Sequence, residues 1–131
     1  MLRGVCDENL STTVLGEKIS MPIGISPMSF QRLAHPDGEI AVARAAAEAG
    51  VVYTLSTTAT TSIKDLAESR PKSPSLWMQL YVVKNRAGAR TIIRNAEVNG
   101  YKALVITVDR PITGLQLSRW RNRIKLPPHL R

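Results

Sequence analysis

Four short runs of the chain are almost continuously apolar. They are Ile23-Gly-Ile-Ser26, Val51 to Ser56, Leu76 to Val83 and Ala103 to Asp109. A strand buried on both faces reads this way, as in a parallel sheet, whereas a half-buried strand alternates. The runs start at residues 23, 51, 76 and 103, a repeat of one strand-plus-helix unit. The segments between them have helical character. Glu39 to Ala49 is Ala-rich and stops at Gly50, and Arg86 to Asn99 sets Ala89, Ile92, Ile93 and Ala96 on one face and stops at Gly100. Ser62 to Ser69 opens on Ser62 as an N-cap, with Asp65 three residues on as a weak capping box. Ahead of the first run, Thr12 to Ser20 predicts a β-hairpin turning at Gly16, with Pro22 separating it from the first parallel strand.

The order hairpin, then strand, helix, strand, helix, strand, helix, strand predicts an α/β fold with a parallel sheet. The repeat length suits one unit of an eight-fold βα barrel and also a doubly wound sheet. A Gly-x-Gly-x-x-Gly turn does not follow the first strand, which lowers the dinucleotide-fold reading. In a barrel, four such strands make about half of the cylinder. The first and fourth would then present unpaired edges, which favour self-association or aggregation.

Composition fits one globular domain: 131 residues, 44% hydrophobic. Residues 1–22 read as the hairpin region, 23–109 as the four-strand unit and 110–131 as a basic loop. The single Cys6 rules out a disulfide framework or a multi-Cys metal site and reads as a packed thiol. No apolar run approaches the length that spans a bilayer, and Arg3, Asp7 and Glu8 interrupt the only apolar N-terminal stretch. The expectation is a soluble, intracellular chain without a membrane partner.

The net charge of +8 is local. Residues 110–131 carry six cations (Arg110, Arg119, Arg121, Arg123, Lys125 and Arg131) and no acid. A solvated loop, or one meeting an acidic ligand, is the favoured reading. A nucleic-acid footprint is a minor alternative, and no nucleic-acid partner is expected.

In parallel α/β folds the reactive groups gather at the carboxyl ends of the strands. Here those ends read Ser26-Pro-Met-Ser29, Ser56-Thr-Thr58, Gln79 with Tyr81, and Thr107 with Asp109. Hydroxyls and an amide on one rim suit a neutral, planar, hydrogen-bonding ligand, although any one of them also suits an ordinary helix cap. His35 sits in a turn-like Ala-His-Pro-Asp-Gly stretch and reads as structural, and His129 has no partner pattern. Asp109 with Arg110 reads as a ligand-orienting or a surface pair.

Several blocks carry a family resemblance. They are Ser20-Met-Pro-Ile23, Ser26-Pro-Met-Ser-Phe-Gln-Arg-Leu-Ala-His-Pro-Asp-Gly-Glu39, Thr54-Leu-Ser-Thr-Thr-Ala-Thr-Thr-Ser62, Gln79-Leu-Tyr81, Thr107-Val-Asp-Arg-Pro111 and Asn122-Arg-Ile-Lys-Leu-Pro-Pro128. In this order and spacing, over essentially the whole chain, they resemble the FMN-dependent (S)-2-hydroxy-acid oxidases, the glycolate oxidase group.

The resemblance implies a partial eight-fold βα barrel, about four units long, with FMN as cofactor. It implies oxidation of a small 2-hydroxy acid to a 2-oxo acid with hydrogen peroxide as co-product. It places the backbone of Pro27, Met28 and Ser29 along the flavin and Ser56 near the isoalloxazine ring. Gln79 and Thr107 match the residues bonding its pyrimidine edge, and Tyr81 matches the tyrosine on the substrate carboxylate side. It also implies peroxisomal residence, although His129-Leu-Arg131 is not the Ser-Lys-Leu address, and a homo-oligomer for the whole protein.

Three departures stand out. Gln116 occupies the position of the substrate-binding arginine, and an amide cannot form a charge-assisted clamp. The family's catalytic histidine matches no histidine here, and no residue of this chain is assigned a catalytic role. The flavin-phosphate loops and the N-terminal substrate tyrosine have no counterpart either. These departures lead to the expectation of weak flavin binding without turnover by this chain alone, the alternative being a non-catalytic half-barrel that pairs its open edges.

Overall fold

A computed structural model describes residues 8–71, 74–109, 114–115 and 117–122, with the side chains of residues 119 and 120 excepted. Strands β1 (Thr12–Val14) and β2 (Glu17–Ile19) form the expected antiparallel hairpin. Leu15 and Gly16 both adopt positive φ at its turn (50° and 81°), as a two-residue turn with native strand twist requires.

The parallel sheet runs in the order β3 (Gly24–Ile25), β4 (Val52–Leu55), β5 (Leu76–Tyr81), β6 (Ala103–Thr107). Helices α1 (Gly38–Glu48), α2 (Ile63–Glu68) and α3 (Arg86–Val98) make the crossovers. The parallel α/β sheet read from the repeat is therefore present, its strand order that of the partial barrel implied by the resemblance, with β3 and β6 at its two edges.

Side chains alternate across each strand. One face of β4 and β5 (Val51, Tyr53, Leu55, Leu76, Met78) packs on Ala43 and Ala46 of α1, Leu66 of α2 and Ala96 of α3 to make the core. The opposite face carries Val52, Thr54 and Ser56 on β4 and the segment after it. It continues with Trp77, Gln79 and Tyr81 on β5, and Ala103, Val105 and Thr107 on β6. Val14, Ile19, Val52 and Trp77 surround a cavity of about 200 Å³ at the lower end of this second face, which the hairpin covers.

The helix ends follow the predicted signals. Ser62 Oγ accepts from Asp65 N at 3.1 Å, and Gly50 and Gly100 take positive φ after α1 and α3. Gly50 is doubly constrained, because a Cβ there would lie 3.0 Å from the Ser20 side chain, whose amide donates to Gly50 O. That contact ties the hairpin to the end of α1.

Three expectations need correction. β6 is not buried on both faces: Leu104 and Ile106, in register with Met78 and Leu80, are 42% and 52% exposed. An apolar run alone thus overstated burial at the sheet edge. β5 ends at Tyr81, and Val82 and Val83 are exposed beyond it. Finally, a short helix, α4 (Leu117–Asn122), lies inside the segment expected to be loop. Cys6, Arg110, Gln116 and His129 lie outside the described residues.

Candidate functional site

The carboxyl ends of the four parallel strands bring the sequence-predicted residues to one rim. Gln79 is its centre. It is only 1% exposed, and both ends of its amide are engaged. Its Oε1 accepts from Thr57 N at 2.9 Å, and its Nε2 donates to Thr107 Oγ1 at 2.9 Å. Thr57 Oγ1 returns a hydrogen bond to Gln79 O at 2.6 Å. One amide therefore joins the ends of β4, β5 and β6. A buried amide is stable only when so partnered. Thr107 accepts the bond from Gln79 Nε2 and keeps its own hydroxyl proton to donate.

A second polar group joins β3 to β4. Ser29 Oγ lies 3.3 Å from Ser56 Oγ and 2.5 Å from Thr58 Oγ1, and Ser56 Oγ lies 3.2 Å from Thr58 Oγ1. Thr58 N also donates to Ser56 Oγ at 3.2 Å. Pro27 and Met28 precede this cluster on an exposed turn, with Met28 64% exposed. Tyr81 stands on the same face of β5 as Gln79, opposite Thr107 on β6, and is exposed. Ser29, Ser56, Gln79, Tyr81 and Thr107 thus follow one another along the carboxyl ends of β3, β4, β5 and β6, the span a planar ligand across four strand ends would need.

Beneath the rim a buried carboxylate fixes the loops. Glu39, fully buried at the start of α1, accepts from Thr60 N (2.7 Å), Thr60 Oγ1 (2.7 and 2.9 Å), Thr61 Oγ1 (2.7 Å) and Gln31 N (3.2 Å). Burial raises its pKa, but the hydrogen bonds from Thr60 and Thr61 and from its own backbone outweigh burial and leave it below the ordinary carboxylate value. The loop after β3 is thereby bound to the loop after β4. Gln31 Nε2 also donates to Tyr53 Oη at 3.1 Å, and burial, with the nearby Glu39 charge, pushes the Tyr53 hydroxyl up to about 12.

Sequence reasoning missed the roles of Thr57, Thr58 and Glu39. The hydroxyl-rich run Thr54 to Ser62 was the available signal, since so many polar side chains after a buried strand need partners. His35 is an exposed turn residue whose Nδ1 accepts from Asp37 N at 3.2 Å, in line with its structural reading. A cavity of about 500 Å³ between α2 and α3 touches Ser56 and Thr57 but opens on the helix side, away from the mouth. Among the described residues, no His, Cys, Asp and Glu side chains cluster to hold a metal, and no helix is long and apolar enough to cross a membrane.

Comparison with known proteins matches the whole chain, residues 1–131, to the FMN-dependent dehydrogenases. The chain is 47% identical to 2-hydroxyacid oxidase 1 of Homo sapiens over 131 residues, all of this chain and 35% of that protein. It is 48% identical to an L-lactate oxidase of Nostoc sp., over 99% of this chain and 36% of the relative. Among solved structures, a variant mandelate oxidase holding an FMN adduct superposes with a TM-score of 0.88 at 37% identity, over 98% of this chain and 38% of that one. The chain therefore spans about a third of the length of the curated relatives it matches.

Proposed function

The chain belongs to the FMN-dependent dehydrogenase family, and from that premise we propose that its strand-end rim is the flavin-facing part of a 2-hydroxy-acid oxidase. The observation that carries this reading is the pair of polar groups at the strand ends, Ser29 with Ser56 and Gln79 with Thr107, which meet through the adjacent residues Ser56 and Thr57. A flavin presents a planar heteroaromatic ring with alternating donors and acceptors at its pyrimidine edge, and Gln79 Nε2 and Thr107 Oγ1 can donate to that edge. The turn Pro27-Met28-Ser29 and the Ser56 hydroxyl flank the ring, and Tyr81 faces the carboxylate of the hydroxy acid. When bound, FMN supplies the acceptor for the two electrons and hydrogen leaving the 2-carbon of the substrate. The residues described here bind and orient, and none of them is placed to remove the substrate proton.

Relatives acting on glycolate, lactate and mandelate are consistent with small 2-hydroxy acids as the substrate class. Peroxisomal residence and self-association belong to the same reading. A non-catalytic half-barrel that pairs with another chain is a second reading, favoured by the exposed outer face of β6.

Incubating the purified 131-residue chain with FMN and glycolate, lactate or mandelate tests the proposal. The expected result is measurable flavin uptake with no hydrogen peroxide. Peroxide from the chain alone, or stoichiometric flavin retained through purification, overturns the division of labour proposed here.

A further inference from the structure

We propose that Thr58 is a positioning residue that locks the flavin-facing turn after β3 to the end of β4. The proposal rests on the reading of the rim as a flavin site. Ser29 stands on that turn, whose far end Gln31 N and Arg32 N tie to Glu39 and Thr60 but whose residues 27–29 have few other ties. Pro27 has no amide hydrogen to give, and the Met28 carbonyl receives only a long 3.5 Å bond from Gln31 Nε2. Phe30 adopts φ +56°, a left-handed conformation that a non-glycine residue holds only against steric resistance. Contacts from outside the turn must therefore define it. The shortest of them is Ser29 Oγ to Thr58 Oγ1 at 2.5 Å, while the direct contact to Ser56 is 3.3 Å.

Proton counting sharpens the role. Three hydroxyls own three protons, and a closed ring of three mutual hydrogen bonds uses all of them. Thr58 N fills one further lone pair on Ser56. To donate to an acceptor on the ring, the cluster must open one bond, and the longest, Ser29 to Ser56, costs least to open. Thr58 then keeps both partners while Ser29 or Ser56 turns its proton to the ligand. Thr58 is itself exposed, so its hydroxyl can be removed without disturbing the core.

The test compares Thr58→Val with Thr58→Ser in the 131-residue chain by two readouts. Hydrogen exchange of the peptide covering residues 28–31 reads the lock without FMN, and quenching of FMN fluorescence reads affinity. The valine variant is expected to exchange faster in that segment and to bind FMN about fivefold more weakly, with its melting temperature close to that of the parent chain. The serine variant is expected to restore both. Ser29→Ala removes the same bond from the other side and replaces the valine variant if that one does not fold. Unchanged exchange in the valine variant, or failure of serine to rescue, overturns the role of Thr58. A parent chain that takes up no FMN overturns the flavin reading, and the exchange comparison still decides whether the lock exists.

Discussion

Gln79 and Thr107 are joined at 2.9 Å across the mouth of the sheet, one on β5 and the other at the end of the edge strand β6. Because the Gln79 carbonyl oxygen also takes Thr57 N, its amide is a two-sided strap. Gln79→Leu keeps the approximate volume but strands a backbone donor and a hydroxyl. We expect a loss of about 1–3 kcal/mol in urea unfolding, and a variant as stable as the parent would show that the strap contributes little.

Glu39 gives stability a definite pH dependence. Its folded pKa is depressed, so its contribution is complete above the unfolded carboxyl pKa of about 4.3 and is lost as pH falls through the lower folded value. Glu39→Gln replaces an acceptor with a donor facing Thr60 and Thr61, and should destabilise the chain by about 2 kcal/mol at neutral pH. Denaturation measured from pH 7 to pH 3 should show the difference between the two proteins shrinking below about pH 4.3. A difference that does not change with pH would contradict the ionised Glu39 cluster.

Two glycines with positive φ should respond differently to alanine. A Cβ at Gly38 (φ +46°) would sit 2.6 Å from Arg32 Cγ and 3.1 Å from Arg32 N, whereas one at Gly100 (φ +78°) meets nothing. Gly100→Ala therefore carries only the left-handed backbone cost of about 1–2 kcal/mol. Gly38→Ala adds a clash with Arg32 Cγ and a tight contact with the Arg32 backbone, and should be the more destabilised of the two in thermal unfolding. The reverse order would refute the packing of Arg32 over the start of α1.

The outer face of β6 should drive association. Leu104 and Ile106 project from an edge strand, an arrangement that folded monomers usually blunt or cover. Sedimentation of the isolated chain should show concentration-dependent oligomers, and Ile106→Lys should reduce them. A chain that sediments as a monomer at every concentration would remove the self-association expectation.

Much of this architecture was legible in the sequence because periodicity and punctuation agree. The apolar runs gave the four parallel strands, Ser62 gave a cap, and Gly50 and Gly100 gave helix ends. The rim residues Ser56, Gln79 and Thr107 were visible as polar interruptions at strand ends. What escaped was pairwise. Nothing local in Thr57 or Thr58 says which strand end each will reach. The hydroxyl partners of Glu39, Thr60 and Thr61, lie more than twenty residues away, so a buried carboxylate on a helix reads as an ordinary surface acid. The exposure of β6 escaped for a related reason, since an apolar run does not reveal whether anything covers it.

The central claim is that Ser29, Ser56, Gln79 and Thr107 form a flavin-binding rim. Titrating FMN with the parent chain and with Thr107→Val, following the quenching of flavin fluorescence, tests it most directly. The account predicts saturable quenching by the parent chain, markedly weakened in the variant while its far-ultraviolet circular dichroism is unchanged. No saturable quenching by the parent chain, or equal affinity in the two proteins, would contradict it.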